Sequence, residues 1–314
     1  MSSLNAGLQI NRTDPVTAIN LIKEVEKSGV KMVWSTAGQG APDSVTVFAA
    51  AAAQTSTIAM GTSIVPTYPR HPVALASQAL VLGALAPGRF RLGIGPSHRP
   101  VIEGAYGIAM GNPLEHLKEY LTILRGLLWE GKSDFEGTYY KVHSQLSPAI
   151  TPPKTPLPVA ALRTNAFRLA GEIADGAISW MCPVPYLLKT ALPAMKEGAE
   201  AAGRAVPALI GHVPVALSTD REAVLAAARK QLGYYGRLPF YARMFADAGY
   251  PVSSDGTMTD ELLETLVVAG DSSTVVARLS EIQAAGVNEI LVAPIYTRDQ
   301  DKELIELAQV LGQA

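Results

Sequence analysis

Short apolar runs alternate with amphipathic stretches along most of this chain. Eight runs have the length and composition of buried strands, and each is followed by a stretch with apolar residues at helical spacing. The predicted strands are residues 6–10, 31–35, 58–65, 89–95, 158–162, 177–181, 209–217 and 289–295. The predicted helices are residues 16–28, 44–54, 71–86, 113–129, 165–173, 185–202, 221–232, 272–285 and 299–311. Strands that alternate with helices in this way predict a parallel sheet covered by helices.

Two segments interrupt the alternation. Residues 134–156 contain a predicted hairpin centred on Gly137 and a proline-rich stretch, and residues 234–263 are rich in Tyr, Gly and Pro. They follow the fourth and seventh strands, so we expect them to be insertions that wall a pocket. The whole chain, residues 1–314, is then one α/β domain, a closed (β/α)8 TIM barrel with two insertions.

The alternative fold is an open doubly wound sheet. The turn after the first strand, residues 11–14, lacks the Gly-x-Gly-x-x-Gly pattern by which such sheets bind dinucleotides. The sequence therefore favours the closed barrel.

Composition and charge narrow the choice of partners. Hydrophobic residues make up 48% of the chain and aromatic residues 6%, which is typical of helix-wrapped sheets with aliphatic cores. A formal charge of −2 gives no reason to expect nucleic acid or an anionic membrane as partner. Cys182 has no second cysteine to pair with, and no signal-like or membrane-spanning apolar run is present. We expect a cytoplasmic protein.

The fourth predicted strand leads into a polar loop. Gly93 and Gly95 would let a flat ligand approach the backbone, and Ser97, His98 and Arg99 follow with a hydroxyl, a titratable ring and a positive charge. The alternative is that the glycines only make room for neighbouring strands and that the polar residues form a solvated turn. Ligands of such barrels bind where the strands end, which favours a site here.

Several kinds of site are poorly supported. The five histidines are scattered, no acid pair stands out, and neither a Gly-x-Ser-x-Gly elbow nor a phosphate loop of the Gly-x-x-x-x-Gly-Lys type is present. We therefore expect no metal. The strand ends instead carry small residues, hydroxyls, an indole and a few cations, which suit a planar, phosphate-bearing organic cofactor.

Several motifs, in order along the chain, resemble the bacterial luciferase-like monooxygenase family. Residues 61–66 read Gly-Thr-Ser-Ile-Val-Pro and are followed by Arg-His-Pro at 70–72, residues 87–95 read Pro-Gly-Arg-Phe-Arg-Leu-Gly-Ile-Gly, and residues 169–176 read Leu-Ala-Gly-Glu-Ile-Ala-Asp-Gly. Gly-Pro-Ser-His-Arg-Pro at 95–100 and Tyr-Pro-Arg-His-Pro at 68–72 are similar to the branch that depends on the deazaflavin coenzyme F420. The resemblance implies a TIM barrel, usually dimeric, with a flavin or deazaflavin at its carboxyl mouth.

The resemblance also implies site residues. The cofactor ring is expected beside a bulge with a cis peptide bond between Ser63 and Ile64, and the phosphate beside the loop 160–164. Relatives often have Gly-Gly where Leu162 and Arg163 stand, so direct charge pairing by Arg163 would have to replace backbone-only binding. The implied cofactor-binding residues are Thr62, Ser63, Ile64, Pro96, Ser97, His98, Ala160, Ala161, Leu162, Arg163 and Thr164. The substrate is expected at Gln39 and Trp180.

Other polar and aromatic residues have competing interpretations. For Arg70 and His71, an ion pair or a helix cap is at least as well supported as ligand binding. His116 and His143 are expected to be structural or surface residues, and His212 a hydrogen-bonded core residue rather than a proton donor. Glu103 either orients Arg99 or faces water. The aromatic side chains of the second insertion either wall the pocket or pack the insertion onto the barrel; they are Tyr234, Tyr235, Phe240, Tyr241 and Phe245.

The predicted function is hydride transfer from reduced F420 to an activated C=C or C=N bond of a small organic substrate, such as a natural-product intermediate. His98 is the expected proton donor, because it flanks the ring and titrates near neutrality. The alternatives are a two-component monooxygenase that uses reduced FMN, and a flavin-binding barrel without catalysis. The resemblance further implies a homodimer built on the alanine-rich helices 44–54 and 71–86.

Overall fold

A parallel sheet that closes on itself organises this protein, whose residues 3–314 are described by a computed structural model. Its strands are β1 (Ala6–Gln9), β2 (Met32–Ser35), β3 (Ala59–Thr62), β4 (Val65–Pro66), β5 (Phe90–Arg91), β6 (Ile94–Gly95), β9 (Pro158–Ala160), β10 (Gly176–Ile178), β11 (Ala208–Ala216), β12 (Val268–Ala269) and β13 (Glu289–Pro294). A separate antiparallel hairpin consists of β7 (Lys132–Glu136) and β8 (Lys141–Gln145).

Helices follow the barrel strands and cover the outside of the sheet. They are α1 (Pro15–Lys27), α2 (Ser44–Ala52), α3 (Pro72–Leu85), α4 (Arg99–Gly104), α5 (Pro113–Arg125), α6 (Thr164–Ile173), α7 (Val184–Tyr186), α8 (Leu192–Ala201), α9 (Arg221–Leu232), α10 (Pro239–Asp247), α11 (Asp260–Leu266), α12 (Ser272–Ala284) and α13 (Gln300–Gly312). Asp14, which precedes Pro15 in the sequence of an N-cap, caps α1 by accepting a backbone N–H group, and Asp43 caps α2 in the same way. Over residues 3–314, the apolar stretches of these helices are too short to cross a bilayer.

The sheet closes between the third and fourth predicted strands, each of which is divided in two. β3 and β4 are the halves of the third predicted strand, and β5 and β6 are the halves of the fourth. β3 pairs with β5 and β4 pairs with β6, while the other side of the ring runs from β6 through β9, β10, β11, β13, β1 and β2 back to β3. The expected (β/α)8 barrel is therefore confirmed, and the open doubly wound sheet is wrong.

The break between β3 and β4 depends on Gly93 in the neighbouring strand. The hydroxyl of Thr62 and the backbone N–H of Val65 both donate to the Gly93 carbonyl, over 2.8 and 2.9 Å. A Cβ atom at position 93 would lie 1.9 Å from the Thr62 carbonyl oxygen. Only glycine allows the two strands to approach this closely at the break.

The lower part of the barrel interior is filled. Trp34 packs there with an apolar cluster, and a Cβ atom on Gly7 or Gly61 would lie 2.7 or 2.4 Å from its indole. The other buried members of this cluster are Met32, Ile178, Ile210 and Leu291. An ion pair between Arg91 and the buried Glu289 lies nearer the amino ends of the strands. The interior is therefore a packed core, and space for a ligand remains at the carboxyl ends.

The two insertions lie in different places. The β7–β8 hairpin runs along α5: Glu119 accepts backbone N–H groups from Thr138, Tyr139 and Tyr140 at its turn. Its body packs against α5, and the Tyr140 ring at its tip lies 5.5 Å from that of His71, in the loop after β4. That residues 134–156 wall the ligand pocket stays a prediction. Residues 234–263 carry side chains to the mouth.

Some short elements were not predicted. α4 directly follows the polar loop that the sequence analysis treats as irregular, and α10 and α11 lie within the tract rich in Tyr, Gly and Pro. β12 adds two residues beside β11. These elements have two to nine residues, which is too short for a periodic pattern to stand out along the chain.

Candidate active site

The mouth of the barrel is a bowl above the packed interior. Side chains that point inward at the strand ends are partly exposed, unlike the buried cluster below them. They are Gln9, Ile64, Ala160 and Trp180. A Cβ atom on Gly95 would lie 2.7 Å from that of Ala160, so these two residues approach closely and place little side-chain bulk on this side of the bowl. The bowl can therefore admit a flat ligand.

The expected bulge lies at one side of this bowl. The peptide bond between Ser63 and Ile64 is cis, as the resemblance implies. The Ser63 hydroxyl is buried and has no hydrogen-bond partner within the described part of the chain. Ile64 packs against the interior cluster, whereas Thr62 is fully buried with its hydroxyl bound to the Gly93 carbonyl. Ser63 and Ile64 can thus face a ligand, whereas the Thr62 side chain stabilises the contact with the neighbouring strand.

The polar loop after β6 places His98 beside the second insertion. Ser97 has a positive φ of 61°, and the next residue, His98, turns the chain into α4. The His98 ring lies 5.5 Å from the ring of Tyr241 and 6.3 Å from that of Tyr235. Burial lowers the pKa of His98 below its ordinary value of 6.5, because water solvates the charged ring better than these neighbours do.

The aromatic residues of the second insertion divide into two groups. The ring of Tyr235 lies 4.9 Å from that of Tyr241 and 5.4 Å from that of Trp180, so this group adjoins the mouth. Tyr234 and Phe240 are about half exposed, and Phe245 is buried in the core. The two interpretations of these side chains therefore hold for different residues: Tyr235 and Tyr241 adjoin His98 and Trp180, and Phe245 packs the insertion onto the barrel.

The segment expected to receive a phosphate joins β9 to α6. Ala161 and Leu162 are buried in the core, so only their backbone can face a ligand. Arg163 precedes the exposed first turn of α6, whose N-terminus has no side-chain cap. Its guanidinium group donates to the Asp247 carboxylate of α10 over 3.0 and 3.2 Å. The first turn of α6 and Arg163 together form a site suited to an anion, and in this structure the Asp247 carboxylate pairs with Arg163.

His212 lies deeper, on the inner side of β11. Its ring is 4.2 Å from that of Trp180, and its Nε2 atom is buried without a hydrogen-bond partner among residues 3–314. Burial lowers the pKa of His212 to about 3. A hydrogen-bonded core histidine is expected at this position, and the structure differs because the buried Nε2 atom is left unpaired within the described residues.

Most of the other candidates have structural contacts. Arg70 pairs with Asp43, and His71 caps α3 by accepting the Val73 N–H, which agrees with the ion-pair and cap interpretations. Glu103 pairs with Arg99, so it orients that residue. Gln39 is exposed on the loop between β2 and α2.

The remaining two histidines lie near or on the hairpin. His116 is buried and bonds to the Tyr140 hydroxyl over 2.8 Å. His143 lies on the exposed surface of the hairpin beside Asp134. Both agree with the structural or surface role expected of them.

The sequence analysis missed two residues near the site. Tyr68 stacks on His116 with ring centroids 3.8 Å apart, and its buried hydroxyl is unpartnered within the described range. Burial raises the pKa of Tyr68 to about 12. Its position just after the third strand is a signal that could have identified it. Asp247 had no such signal, because it lies 84 residues from Arg163.

The residues present fit a flat heterocycle with an anionic tail. Ser63 and His212 offer unpaired buried polar atoms at the floor, the Gly95 and Ala160 side offers close approach, and Arg163 offers a positive charge at the rim. Polar groups at the floor and a cation at the rim are the two features that such a ligand requires.

Comparison with known proteins identifies the family of this chain. Residues 4–289 match the family model described as luciferase-like monooxygenase. An uncharacterized protein of Mycobacterium tuberculosis is 28% identical over 302 residues, which cover 87% of each chain. The F420-dependent glucose-6-phosphate dehydrogenase of Nakamurella multipartita is 34% identical over 204 residues, 62% of this chain and 60% of that one.

Solved structures share the fold over nearly the whole chain. An F420-dependent secondary alcohol dehydrogenase in complex with an F420–acetone adduct superposes with a TM-score of 0.80 at 17% identity, covering 99% of this chain and 98% of that one. The oxygenating constituent of 3,6-diketocamphane monooxygenase from Pseudomonas putida, in complex with FMN, has a TM-score of 0.77 at 18% identity and covers 99% and 97%. The homologues of this chain thus include F420-dependent oxidoreductases, and the chain belongs to the luciferase-like monooxygenase family.

Proposed function

We propose that this protein transfers a hydride from reduced coenzyme F420 to an activated C=C or C=N bond of a small organic substrate. The observation that carries the proposal is the set of polar groups at the mouth of the barrel. At the floor, Ser63 and His212 have buried atoms without a hydrogen-bond partner among residues 3–314, and at the rim lie Arg163 and the N-terminus of α6, which has no side-chain cap. The relative from Nakamurella, named for its F420 dependence, favours the deazaflavin. We further propose a natural-product intermediate as the substrate.

The side chains at the mouth of the barrel would have the following roles. Arg163 and the first turn of α6 would hold the phosphate, while Ser63, Ile64 and the backbone of residues 160–162 would border the ring. When bound, the deazaflavin supplies the hydride and accepts it in the reverse direction. Tyr235 and Tyr241 would keep water from the reacting atoms, and Trp180 would align the substrate. His98 would donate the proton that completes the reduction.

The second candidate is a two-component monooxygenase that uses reduced FMN. It is favoured by the family description and by the FMN complex of the Pseudomonas structure. Both cofactors carry a tricyclic ring and a phosphate, so the groups at the mouth suit either one.

Equilibrium binding distinguishes the two candidates. The purified protein is titrated with oxidised F420 and with FMN at matched concentrations, and binding is followed by cofactor fluorescence. We expect F420 to bind more tightly, and reduced F420 to be oxidised by a panel of activated alkenes and imines. Tighter binding of FMN, with oxygen consumption and an oxygenated product, would contradict the proposal.

The ion pair between Arg163 and Asp247 gives a testable prediction. Arg163→Met is expected to raise the Kd of the phosphate-bearing cofactor about tenfold, because it removes a charge-assisted hydrogen bond. Asp247→Asn is expected to lower that Kd about threefold, because the partly exposed carboxylate no longer competes for the guanidinium group. Both constants are measured by fluorescence titration at low and high salt. Equal effects of the two substitutions would argue for a purely structural ion pair.

We also propose that two copies of the chain associate through α2 and α3. Neither helix contains a charged residue, and Val81 and Leu85 of α3 are 53% and 41% exposed. Exposed aliphatic side chains on a charge-free helix face are typical of a buried interface. The cytoplasmic location stays a prediction from the sequence.

A charge on this face tests the association. Val81→Glu is expected to shift the protein from dimer toward monomer in analytical ultracentrifugation, because an unpaired carboxylate would be buried between the copies. Ala226→Glu, on the exposed surface of α9, is the matched control and should leave the mass unchanged. A monomeric wild-type protein would contradict the proposal.

A further inference from the structure

His212 lies at the floor of the mouth, and the mechanism above gives it no part. Side chains alternate along a strand, so the inward direction of Ile210 in β11 also applies to His212, one layer nearer the mouth. Its ring packs beside Trp180 and is 5% exposed. It is therefore among the deepest polar side chains that border the bowl.

The surroundings of this ring are uncharged. Burial alone depresses the pKa of His212, to about 3, so the ring is neutral at physiological pH. Apolar side chains of the interior cluster, including Trp34 and Ile178, lie below it. A carboxylate or phosphate that reached this depth would have no positive charge to pair with, which makes its burial unfavourable.

The side chain is not needed to hold its own strand. The backbone N–H of His212 donates to the Ser179 hydroxyl over 3.3 Å, and β11 pairs with β10 and β13 through backbone groups. The ring itself leaves Nε2 buried and unpaired with respect to residues 3–314. Since an unpaired buried nitrogen is destabilising, an apolar ring would serve packing better at this position.

We propose that His212 is a specificity-determining residue whose neutral imidazole hydrogen-bonds an uncharged carbonyl or amide group of the ligand in the mouth. This inference rests on the proposed function. A neutral imidazole offers one donor and one acceptor, which match a carbonyl oxygen or an amide N–H. The uncharged polar edge of the ligand lies over His212 and its anionic tail lies at Arg163, so the two residues fix the direction in which the ligand enters.

The group that His212 contacts belongs either to the cofactor ring or to the substrate, and two measurements distinguish these sources. The Kd values of oxidised F420 and FMN are measured for wild type, His212→Phe and His212→Asn, together with the KM of a substrate that turns over. His143→Phe, on the exposed hairpin, is the matched control. Thermal unfolding is followed for every variant, so that loss of folding is recognised.

We expect His212→Phe to raise one of the two constants about tenfold without lowering the unfolding temperature. His212→Asn should recover most of this loss, because its amide restores a neutral donor and acceptor. A rise in Kd assigns the contact to the cofactor, and a rise confined to KM assigns it to the substrate; each supports the inference.

Other results would overturn the inference. Unchanged Kd and KM in His212→Phe would show that the proposed hydrogen bond is not formed, and would leave the proposed function intact. Equal losses in the Phe and Asn variants, with equally lowered unfolding temperatures, would show a structural role. Failure of the wild-type protein to bind either cofactor would instead overturn the proposed function, and the inference with it.

Discussion

His98→Ala is expected to lower the rate of substrate reduction about 100-fold or more, the usual contribution of a positioned general acid. The ring lies at the mouth between the polar loop and Tyr241, where it can reach a developing negative charge on the substrate. Stopped-flow oxidation of reduced F420 measures the rate, and a separate titration measures cofactor binding. The two readouts separate proton donation from a contact with the cofactor.

The pH profile tests the same role. Burial lowers the pKa of His98, so its protonated form is present only below a value that is itself under 6.5. As pH rises through that lowered pKa, the proton is lost, and kcat/KM should fall. His98→Ala should abolish this fall, whereas His143→Ala, on the exposed hairpin, should keep it. An unchanged rate and profile in His98→Ala would exclude the acid role.

Gly93→Ala is expected to destabilise the protein by about 3 kcal/mol or more, beyond the usual cost of an overpacked core. The new methyl group would lie 1.9 Å from the Thr62 carbonyl oxygen and 2.8 Å from the Ile178 side chain. The first of these atoms belongs to the backbone, so relief requires the strands to separate and weakens both hydrogen bonds to the Gly93 carbonyl. Since this region carries Ser63 and Ile64, cofactor binding should weaken as well.

Chemical denaturation measures this loss, and Gly38→Ala is the matched control. A Cβ atom on Gly38 meets no described atom within 4 Å, and its φ is not in the left-handed region, so its free energy of unfolding should change little. Equal stability of the two variants would mean that the strands can separate at position 93 without cost.

Regular periodicity explains what the sequence could predict about the fold. The eight pairs of strand and helix follow from apolar runs and from caps such as Asp14, because these signals are local. The division of the third and fourth strands at Ser63 and Gly93 depends on contact between two strands, which periodicity does not record. α10 has Tyr241, Met244 and Phe245 at helical spacing, but this period spans only nine residues inside a tract rich in Tyr, Gly and Pro, so it was missed.

The candidate site was predictable to a lesser degree. The positions of Ser63, His98 and Arg163 at strand ends follow from their order in the chain, since the carboxyl ends of parallel strands meet. The partner of Arg163 could not be inferred, because the chain brings Asp247 to it from 84 residues away. That His212 Nε2 has no hydrogen-bond partner among residues 3–314 could not be inferred either, because the neighbours of the ring come from separate strands.

The filled lower half of the barrel governs the order of events during turnover. Because Trp34 and the pair of Arg91 with Glu289 fill the interior below, within residues 3–314, reactants and products of the proposed reaction would enter and leave at the carboxyl ends of the strands. Whichever molecule occupies the floor must arrive first and depart last. Steady-state kinetics should therefore follow a compulsory sequence, in which the second molecule leaves before its predecessor is exchanged.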